Sequence, residues 1–210
     1  MNGKTFSREI TSPIDLVQDA QSPARNHLAH TTIALTNQQV SDLQNICETI
    51  TAPLETALAS RDWWPLTMHW ALAGKVPTRA AAICRPTSTE QVSHVLSYCN
   101  EKRIPVTAAG GRSGVCGASI PLYGGVILDT TAMQGVVALD DESLTVEVLP
   151  GTFGPDLEAH IQSLGFTVGH YPQSFDIATV GGWVACRGAG QYSTRYGKIE
   201  DMVVALEVVL

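Results

Sequence analysis

Apolar residues along the chain fall into two patterns, one with helical spacing and one in short unbroken runs. Helical spacing appears over 36–52, 88–103 and 153–165, and we predict an amphipathic helix in each. Thr36 and Gln39 form a capping box at the start of the first helix. The chain therefore contains helices that must bury one face against another layer.

The short apolar runs predict β-strands, because they are bounded by glycine, proline and other turn residues. The predicted strands cover 80–84, 106–109, 125–129, 135–139, 144–149 and 204–210. Asp140 and Asp141 supply the turn between the fourth strand and the fifth. Strand, helix and strand alternate over 80–109, and a hairpin follows, so we predict an α+β fold.

These elements divide the chain into three regions. Residues 1–35 are a polar arm that we expect to be weakly ordered, 36–79 form a helical N-terminal segment, and 80–210 carry the predicted strands. A domain rarely ends within an apolar strand, since the edge of that strand would stay uncovered. We therefore expect the domain over 80–210 to be truncated at its C-terminal end.

Composition narrows the class of protein. The 210 residues are 44% hydrophobic and 16% charged, which is typical of a globular protein with a sizeable core. A formal net charge of −7 disfavours nucleic acid as a partner. No apolar stretch is long enough to span a membrane, and the 5 cysteines form no CxxC pair. We expect a cytoplasmic protein with reduced thiols and no metal site.

An aromatic group precedes the predicted strands. Trp63, Trp64 and Trp70 lie close together in the sequence. Aromatic side chains dominate the energetics of packed cores, so a packed cluster is the interpretation that we favour. A lid and an interface remain as alternatives.

The strand over 106–109 runs into a loop that contains Gly110, Gly111, Gly114 and Gly117. Where side chains are absent, backbone N–H groups approach a phosphate closely, so the loop predicts a diphosphate site. A plain glycine-rich turn is the alternative. The chain lacks the lysine of a nucleoside-triphosphate loop and the GxGxxG pattern of a dinucleotide-binding turn, so any phosphate site belongs to another fold.

A second polar and glycine-rich stretch covers 169–190. Glycines interleaved with polar residues suggest main chain that lies against a flat ligand. Ser174 and Thr179 are able to hydrogen-bond such a ligand.

Several strings in these two stretches resemble one family. They are Gly-Gly-Arg-Ser-Gly-Val at 110–115, Gly-His-Tyr-Pro-Gln-Ser at 169–174, Thr-Val-Gly-Gly-Trp-Val-Ala-Cys-Arg at 179–187 and Tyr-Gly-Lys-Ile-Glu-Asp-Met-Val-Val at 196–204. Over 80–210 the chain resembles the PCMH-type FAD-binding domain of the vanillyl-alcohol oxidase superfamily. Within it, the likeness is to alkyldihydroxyacetonephosphate synthase and to glycolate-oxidase-like flavoproteins.

The resemblance implies two α/β subdomains with FAD between them, preceded by the helical segment and followed in the family by a C-terminal substrate domain. It implies that 108–114 hold the pyrophosphate, that 173–179 and 186–189 line the flavin or ribityl side, and that Ile199 contacts the cofactor through its backbone. The cofactor-binding residues so implied are Ala108, Ala109, Gly110, Gly111, Arg112, Ser113, Gly114, Val115, Gln173, Ser174, Ala178, Thr179, Gly181, Gly182, Cys186, Arg187, Gly188, Ala189 and Ile199.

Three of these positions depart from the family's pattern. The family often has proline where Ala108 stands, a third glycine where Arg112 stands and aspartate where Gln173 stands. We expect the Arg112 guanidinium to reach the diphosphate directly, which would offset the missing glycine. Members that bind FAD covalently carry histidine at the position of Arg112, so we predict noncovalent FAD.

The resemblance also implies flavin redox chemistry. The first reading is an FAD-dependent oxidoreductase acting on a small hydroxy substrate such as a 2-hydroxy acid. The alternatives are an alkylglycerone-phosphate synthase-like transferase and a non-catalytic FAD-binding fragment. A small-molecule substrate is the expected partner, and a homodimer formed through the C-terminal part is kept open.

Catalytic candidates are few. His170 is expected near the flavin or as a structural histidine, and Arg187 is expected to stabilise reduced flavin or to pair with Glu200 or Asp201. Tyr192 belongs to a group with Arg195 and Tyr196 that faces a substrate cavity or forms a packed loop.

Overall fold

The computed structural model describes residues 14–17, 24–28 and 31–210. Most of the predicted polar arm lies outside these residues. The strands are β1 (Arg25–Asn26), β2 (Glu48–Ile50), β3 (Lys75–Val76), β4 (Ala82–Arg85), β5 (Val106–Ala109), β6 (Val126–Asp129), β7 (Val136–Asp140) and β8 (Thr145–Val148). The helices are α1 (Asn37–Gln44), α2 (Pro53–Ala59), α3 (Pro65–Ala71), α4 (Thr89–Glu101), α5 (Gly154–Gln162), α6 (Val180–Ala185), α7 (Ser193–Tyr196) and α8 (Ile199–Met202), with a 3₁₀ turn at Thr130–Ala132.

The larger sheet has the strand order β2-β4-β6-β5. Strands β4, β6 and β5 are parallel, and β2 pairs antiparallel with β4. Helix α4 connects β4 to β5, and it begins where the Ser88 side chain accepts a hydrogen bond from the Gln91 amide at 3.2 Å. Val95 and Cys99 on α4 are buried against Val126. This order confirms the strand, helix and strand predicted over 80–109.

A second unit follows the 3₁₀ turn. Strands β7 and β8 form an antiparallel hairpin, and α5, α6 and α8 pack with it. Its buried core contains Leu157, Ile161, Trp183 and Ile199. The hairpin turn is held by the Asp140 carboxylate, which accepts hydrogen bonds from two following amides. The predicted α+β class is confirmed.

Two predicted elements are wrong. The capping box at Thr36 and Gln39 is present, but α1 ends at Gln44, and the strand β2 lies within the remainder of the predicted helix. The β-branched residues Thr49 and Ile50 pair with β4, and this pairing overrides the helical spacing. The predicted strand at 204–210 is not formed in the described residues, and most of its apolar side chains are exposed, with Val204 at 83%.

The predicted packing of tryptophans is partly visible. The ring of Trp64 meets that of Trp70 edge to face at 5.6 Å, and His27 stacks on Trp70 at 4.2 Å. The stacking of His27 on Trp70 packs the residue that follows β1 against α3. Among the described residues, no helix combines the length and apolar character that crossing a bilayer requires.

Candidate functional site

The glycine-rich loop lies at the carboxyl end of the parallel strands. It follows β5 directly, and Asp129 at the end of the neighbouring β6 is paired in register with Ala109. The hydroxyl of Thr130 donates to the carbonyl of Ala109 at 3.2 Å, so the ends of both strands are tied together. In open α/β sheets this edge is where ligands bind.

The main-chain amides of this loop are available to a ligand. Within the part of the chain that the structure describes, the N–H groups of residues 111–116 meet no hydrogen-bond acceptor. The carbonyl of Gly114 is used, because it accepts from the Trp63 amide at 3.0 Å. Successive free amides in a glycine-rich turn form the kind of concavity that binds anions. The loop thus offers donors suited to a diphosphate.

Arg112 holds the start of this loop. Its backbone has φ 53°, a left-handed conformation that usually favours glycine, and this agrees with the glycine that the family places there. Its Nη1 lies 3.3 Å from Oδ2 of Asp129, and the two side chains are only 11% and 6% exposed. The guanidinium is therefore directed to the end of β6. The expectation that it reaches the diphosphate stays a prediction, since this pair uses only one of the guanidinium nitrogens.

Two of the glycines are explained by close packing. A side chain on Gly110 would collide with Oγ1 of Thr179, and one on Gly111 would collide with the carbonyl of Ile177 and come within 3.1 Å of the Ala178 Cα. By contrast, a Cβ on Gly114 would meet nothing closer than Oδ2 of Asp62 at 4.0 Å. The structure therefore brings together the two stretches that the sequence singled out, and Gly110 and Gly111 permit their contact.

The second stretch uses most of its own amides. Val180 donates to the carbonyl of Thr152 at 2.9 Å and Gly181 to that of Pro150 at 2.8 Å. Gly154 donates back to the carbonyl of Ala178 at 3.2 Å. Gly181 itself lies so close to Pro150 that a Cβ would come within 2.8 Å of that ring. This stretch is thus fixed to the turn before α5. Because most of its amides are already hydrogen-bonded, it would contact a ligand mainly through its side chains.

His170 is buried in the second unit. It is 1% exposed, its ring meets Trp183 edge to face at 4.9 Å, and neither ring nitrogen has a partner among the described residues. Burial lowers the pKa of His170, so the ring is neutral. The preceding turn is held by buried Glu158, which accepts hydrogen bonds from the amides of Val168 and Gly169.

Other predicted residues lie nearer the surface. Arg187 has φ 51° and pairs with Glu200, so the ion-pair alternative is the one observed. Tyr192 is 51% exposed and packs edge to face on Tyr171 at 5.2 Å. Ile199 is buried, and its amide donates to the carbonyl of Gly188 at 3.1 Å, which removes that donor from a cofactor.

Among the remaining members of the predicted set, some are exposed and some lie closer to the loop contact. Gln173, Cys186 and Ala189 are exposed, and Ser174 is half-buried. The carbonyl of Ser174 accepts from the amide of Ala178 at 2.9 Å and shapes the turn before Thr179. Gly182 lies beside Thr179, whose Oγ1 is 3.4 Å from the position of a Cβ there.

Sequence reasoning missed two acids at this site, Asp62 and Asp129. Asp129 ends an apolar strand at the same sheet edge as the loop, so its position was a usable signal. Asp62 lies far from the loop in sequence, and nothing in its surroundings pointed to it. Among the described residues, no group of three or more histidine, cysteine or acidic side chains is placed to hold a metal ion.

These residues fit a flavin dinucleotide. The amides of 111–116 suit the diphosphate, and unpartnered buried polar atoms mark the second stretch: Oγ1 of Thr179, both nitrogens of His170 and Nε1 of Trp183. Buried polar groups without a partner are rare in proteins, and a ligand is one way in which they are satisfied.

Comparisons with known proteins agree with this geometry. A family model described as FAD binding domain matches residues 80–210. The chain is 42% identical over 133 residues to the uncharacterized FAD-linked oxidoreductase YgcU of Escherichia coli K12, covering 62% of this chain and 27% of that protein. It is 33% identical over 129 residues to glycolate oxidase subunit GlcD of Bacillus subtilis, covering 61% and 27%.

Solved structures share the fold. An alkyldihydroxyacetonephosphate synthase aligns with a TM-score of 0.78 at 26% identity, covering 93% of this chain and 36% of that chain. A p-cresol methylhydroxylase aligns with a TM-score of 0.58 at 21% identity, covering 72% and 29%. This chain spans about a quarter of the length of the curated relatives that it matches, 27% in the case of YgcU.

Proposed function

The chain belongs to the FAD binding domain family, and from that membership we propose that it is the FAD-binding part of an oxidoreductase that acts on a small hydroxy acid. FAD is the cofactor. The single observation that supports its placement is the run of amides over 111–116 that have no acceptor within the described residues. They lie at the carboxyl end of β5.

Two groups of residues divide the work of holding the cofactor. The loop amides of 111–116 would bind the diphosphate, and the loop is kept in position by the Arg112–Asp129 ion pair at 3.3 Å. Thr179 and His170, whose buried polar atoms have no partner among the described residues, would hold the rest of the cofactor from the second unit. Bound FAD supplies the acceptor for a hydride from the substrate. The protein supplies orientation and a site that excludes water.

The names of the relatives support the choice of reaction. They include an FAD-linked oxidoreductase, a glycolate oxidase subunit and a D-lactate dehydrogenase, the last 36% identical over 140 residues. Glycolate and D-lactate are both 2-hydroxy acids. We therefore propose a 2-hydroxy acid as the substrate of the whole protein.

A transferase of the alkyldihydroxyacetonephosphate synthase type is the second candidate. It is favoured by the structural likeness over 93% of this chain at a TM-score of 0.78. The relatives named as oxidoreductases are more similar in sequence, at 42% identity for YgcU. We rank the oxidoreductase first on that ground.

Three further properties are part of the proposal. FAD is bound without a covalent link, since Arg112 stands where covalent members carry histidine, and precipitation with acid should release all flavin into the supernatant. The protein acts in the cytoplasm, which its free cysteines support. Its partner is a small-molecule substrate and not nucleic acid, given the net charge of −7. A homodimer is kept open.

Removing one amide from the loop tests the diphosphate site. The Val115→Pro variant deletes an N–H donor without changing charge. Because a hydrogen bond to a charged group contributes about 1.5–3 kcal/mol, FAD affinity measured by absorbance after dialysis should fall at least tenfold. Val115→Ala is the control, since it shortens the same side chain, leaves the charge unchanged and keeps the N–H donor. An unchanged affinity of Val115→Pro would place the diphosphate elsewhere.

The reaction class is tested on the purified whole protein with its flavin bound. Anaerobic addition of glycolate or D-lactate should bleach the flavin absorbance if the protein oxidises 2-hydroxy acids. If the flavin is not bleached and the protein instead exchanges the acyl group of a substrate for an alkyl group, the transferase would be favoured. Flavin that is bound but never reduced or used would favour a non-catalytic module.

A further inference from the structure

Three consecutive residues before the family-matched part of the chain touch the glycine-rich loop. The Trp63 amide donates to the carbonyl of Gly114 at 3.0 Å. The ring of Trp64 lies 3.1 Å from the position of a Cβ on Gly117. The carboxylate of Asp62 faces the amides of Gly117 and Ser119. Each of the three residues thus contacts the loop or the residues that follow it.

The same three residues are themselves held rigidly. The Oδ1 atom of Asp62 accepts from the Trp64 amide at 3.0 Å, and its carbonyl accepts from the Thr67 hydroxyl at 2.9 Å. Just before them, the fully buried hydroxyl of Ser60 accepts from the Ala80 amide at 2.9 Å. The segment is therefore tied to α3 on one side and to the first family-matched residue on the other.

The burial of the Asp62 carboxyl group is energetically unfavourable. Asp62 is 2% exposed, and Oδ2 has no hydrogen-bond partner of good geometry among the described residues. Burial raises the pKa of its carboxyl, and the amides of Trp64, Gly117 and Ser119 lower it. A buried carboxylate is unfavourable unless its contacts compensate. Its contacts here are with the residues that close the glycine-rich loop.

We propose that Asp62, Trp63 and Trp64 form a clamp that fixes the C-terminal end of the glycine-rich loop, from Gly114 to Ser119. In this proposal Asp62 is a positioning residue for the FAD diphosphate. The proposal rests on the proposed function. The ion pair of Arg112 with Asp129 fixes the start of the loop, and the clamp fixes its end. The amides between them are then pre-organised, so less conformational entropy is lost when a dianion binds.

The clamp makes a residue outside the matched domain part of the FAD site. The test uses the full chain and the Asp62→Asn variant, which keeps the size of the side chain and an acceptor for the Trp64 amide. Asp140→Asn is the matched control, because Asp140 also accepts from two turn amides but lies in the hairpin of the second unit. Hydrogen exchange of the loop amides is measured without FAD, and affinities for FAD and riboflavin are measured alongside.

In Asp62→Asn we expect faster exchange at the amides of Gly117 and Ser119, which face the carboxylate, and a roughly tenfold loss of FAD affinity, because the loop is then less pre-organised. Riboflavin lacks the diphosphate, so its affinity should stay as in the wild type. A merely structural role would weaken both ligands equally and would overturn the proposal. An unchanged exchange pattern would also overturn it, and so would tighter FAD binding, which would mean that the carboxylate only repels the diphosphate.

Failure of the clamp is distinguishable from failure of the proposed function. If the wild type binds no FAD, the proposed function is wrong, and the exchange measurement still reports whether Asp62 fixes the loop. If Asp62→Asn does not fold, Trp64→Phe retains the carboxylate and weakens the contact with Gly117, because the phenyl ring is smaller than the indole. Faster exchange at Gly117 in that variant than in the wild type supports the clamp, and equal exchange in the two proteins overturns it.

Discussion

The two stretches that meet at the candidate cofactor site hold their main chain in different ways. In 110–117 the amides are largely free, and the loop is fixed from outside by the side chains of Asp62 and Asp129. In 178–188 the amides are consumed by α6 and by the turn before α5. The first stretch therefore offers main-chain donors, which suit a diphosphate, and the second offers buried side chains, which suit a ring.

Each of the two stretches also contains an arginine with left-handed backbone that pairs with an acid, but the two pairs differ in burial. Arg112 and Arg187 both have left-handed backbone, with φ 53° and 51°, and both pair with an acid. The Arg112 pair is 11% and 6% exposed, whereas the Arg187 pair is 75% and 28% exposed. Breaking a buried pair leaves an uncompensated charge, but an exposed pair is screened by water and salt. We therefore expect the buried Arg112–Asp129 pair to matter more for stability than the exposed Arg187–Glu200 pair, although the two arginines share a backbone conformation.

The largest effect is expected where the two stretches touch. In Gly111→Ala the new methyl group would collide with the carbonyl of Ile177 and the Cα of Ala178, and backbone cannot move aside as a side chain can. We expect a loss of more than about 3 kcal/mol in the free energy of unfolding, measured in urea. Gly114→Ala is the control, since its Cβ would stand in open space 4.0 Å from Asp62. Equal stability of the two variants would show that the stretches are not packed as described.

The next effect tests the buried pair. Asp129→Asn retains the acceptor for the Thr131 amide but removes the charge that faces Arg112. We expect the free energy of unfolding to fall by about 3 kcal/mol, because the guanidinium stays buried without a partner. FAD affinity should fall as well, since the start of the loop loses its support. A stability equal to that of the wild type would mean that Arg112 finds water or another acceptor.

His170 gives a smaller effect that depends on pH. Its pKa is lowered by burial below the ordinary value of 6.5, so the stability of the neutral ring is present above that pH and is lost as pH falls through the folded pKa. The free energy of unfolding, measured between pH 5 and 8, should therefore decline toward the acid end. His170→Gln should flatten this decline, and His94→Gln, on the exposed side of α4, should not. A decline that persists in His170→Gln would assign it to other groups.

The fold was predictable where local signals and tertiary contacts agree. Ser88 and Gln91 cap α4, and Val106–Ala109 forms β5, as the sequence indicates. The residues of β2 were predicted as helix, because spacing alone does not reveal that a neighbouring strand offers hydrogen bonds to them. The same reason explains 204–210, where an apolar run has no strand to pair with in the described residues.

The site was predictable as two stretches but not as a set of contacts. Four glycines indicated a loop, yet the reasons for them differ: Gly111 permits packing, while Gly114 leaves open space. Asp62 lies in another region of the sequence, and only the fold brings it to Gly117 and Ser119. Long-range partners of this kind carry no local signal.

The smallest effect is expected at the exposed pair and completes the comparison of the two arginines. Arg187 and, to a lesser degree, Lys198 lower the pKa of Glu200 to about 2. A lowered carboxyl pKa stabilises the fold above the ordinary value of 4.5, and that stability is lost as pH falls toward 2. Because Glu200 lies at the surface, solvent screens the pair, and Glu200→Gln should leave the urea midpoint unchanged at physiological salt.

A small difference should appear only when the salt is removed, since screening then weakens. Measuring Glu200→Gln and Asp129→Asn side by side at low and physiological salt separates the two pairs. The Asp129 variant should lose stability at both salt concentrations, because its partner is buried away from the ions. If Glu200→Gln lost as much as Asp129→Asn at physiological salt, burial would not be what distinguishes the two arginines, and the left-handed backbone that they share would have to carry the stabilisation instead.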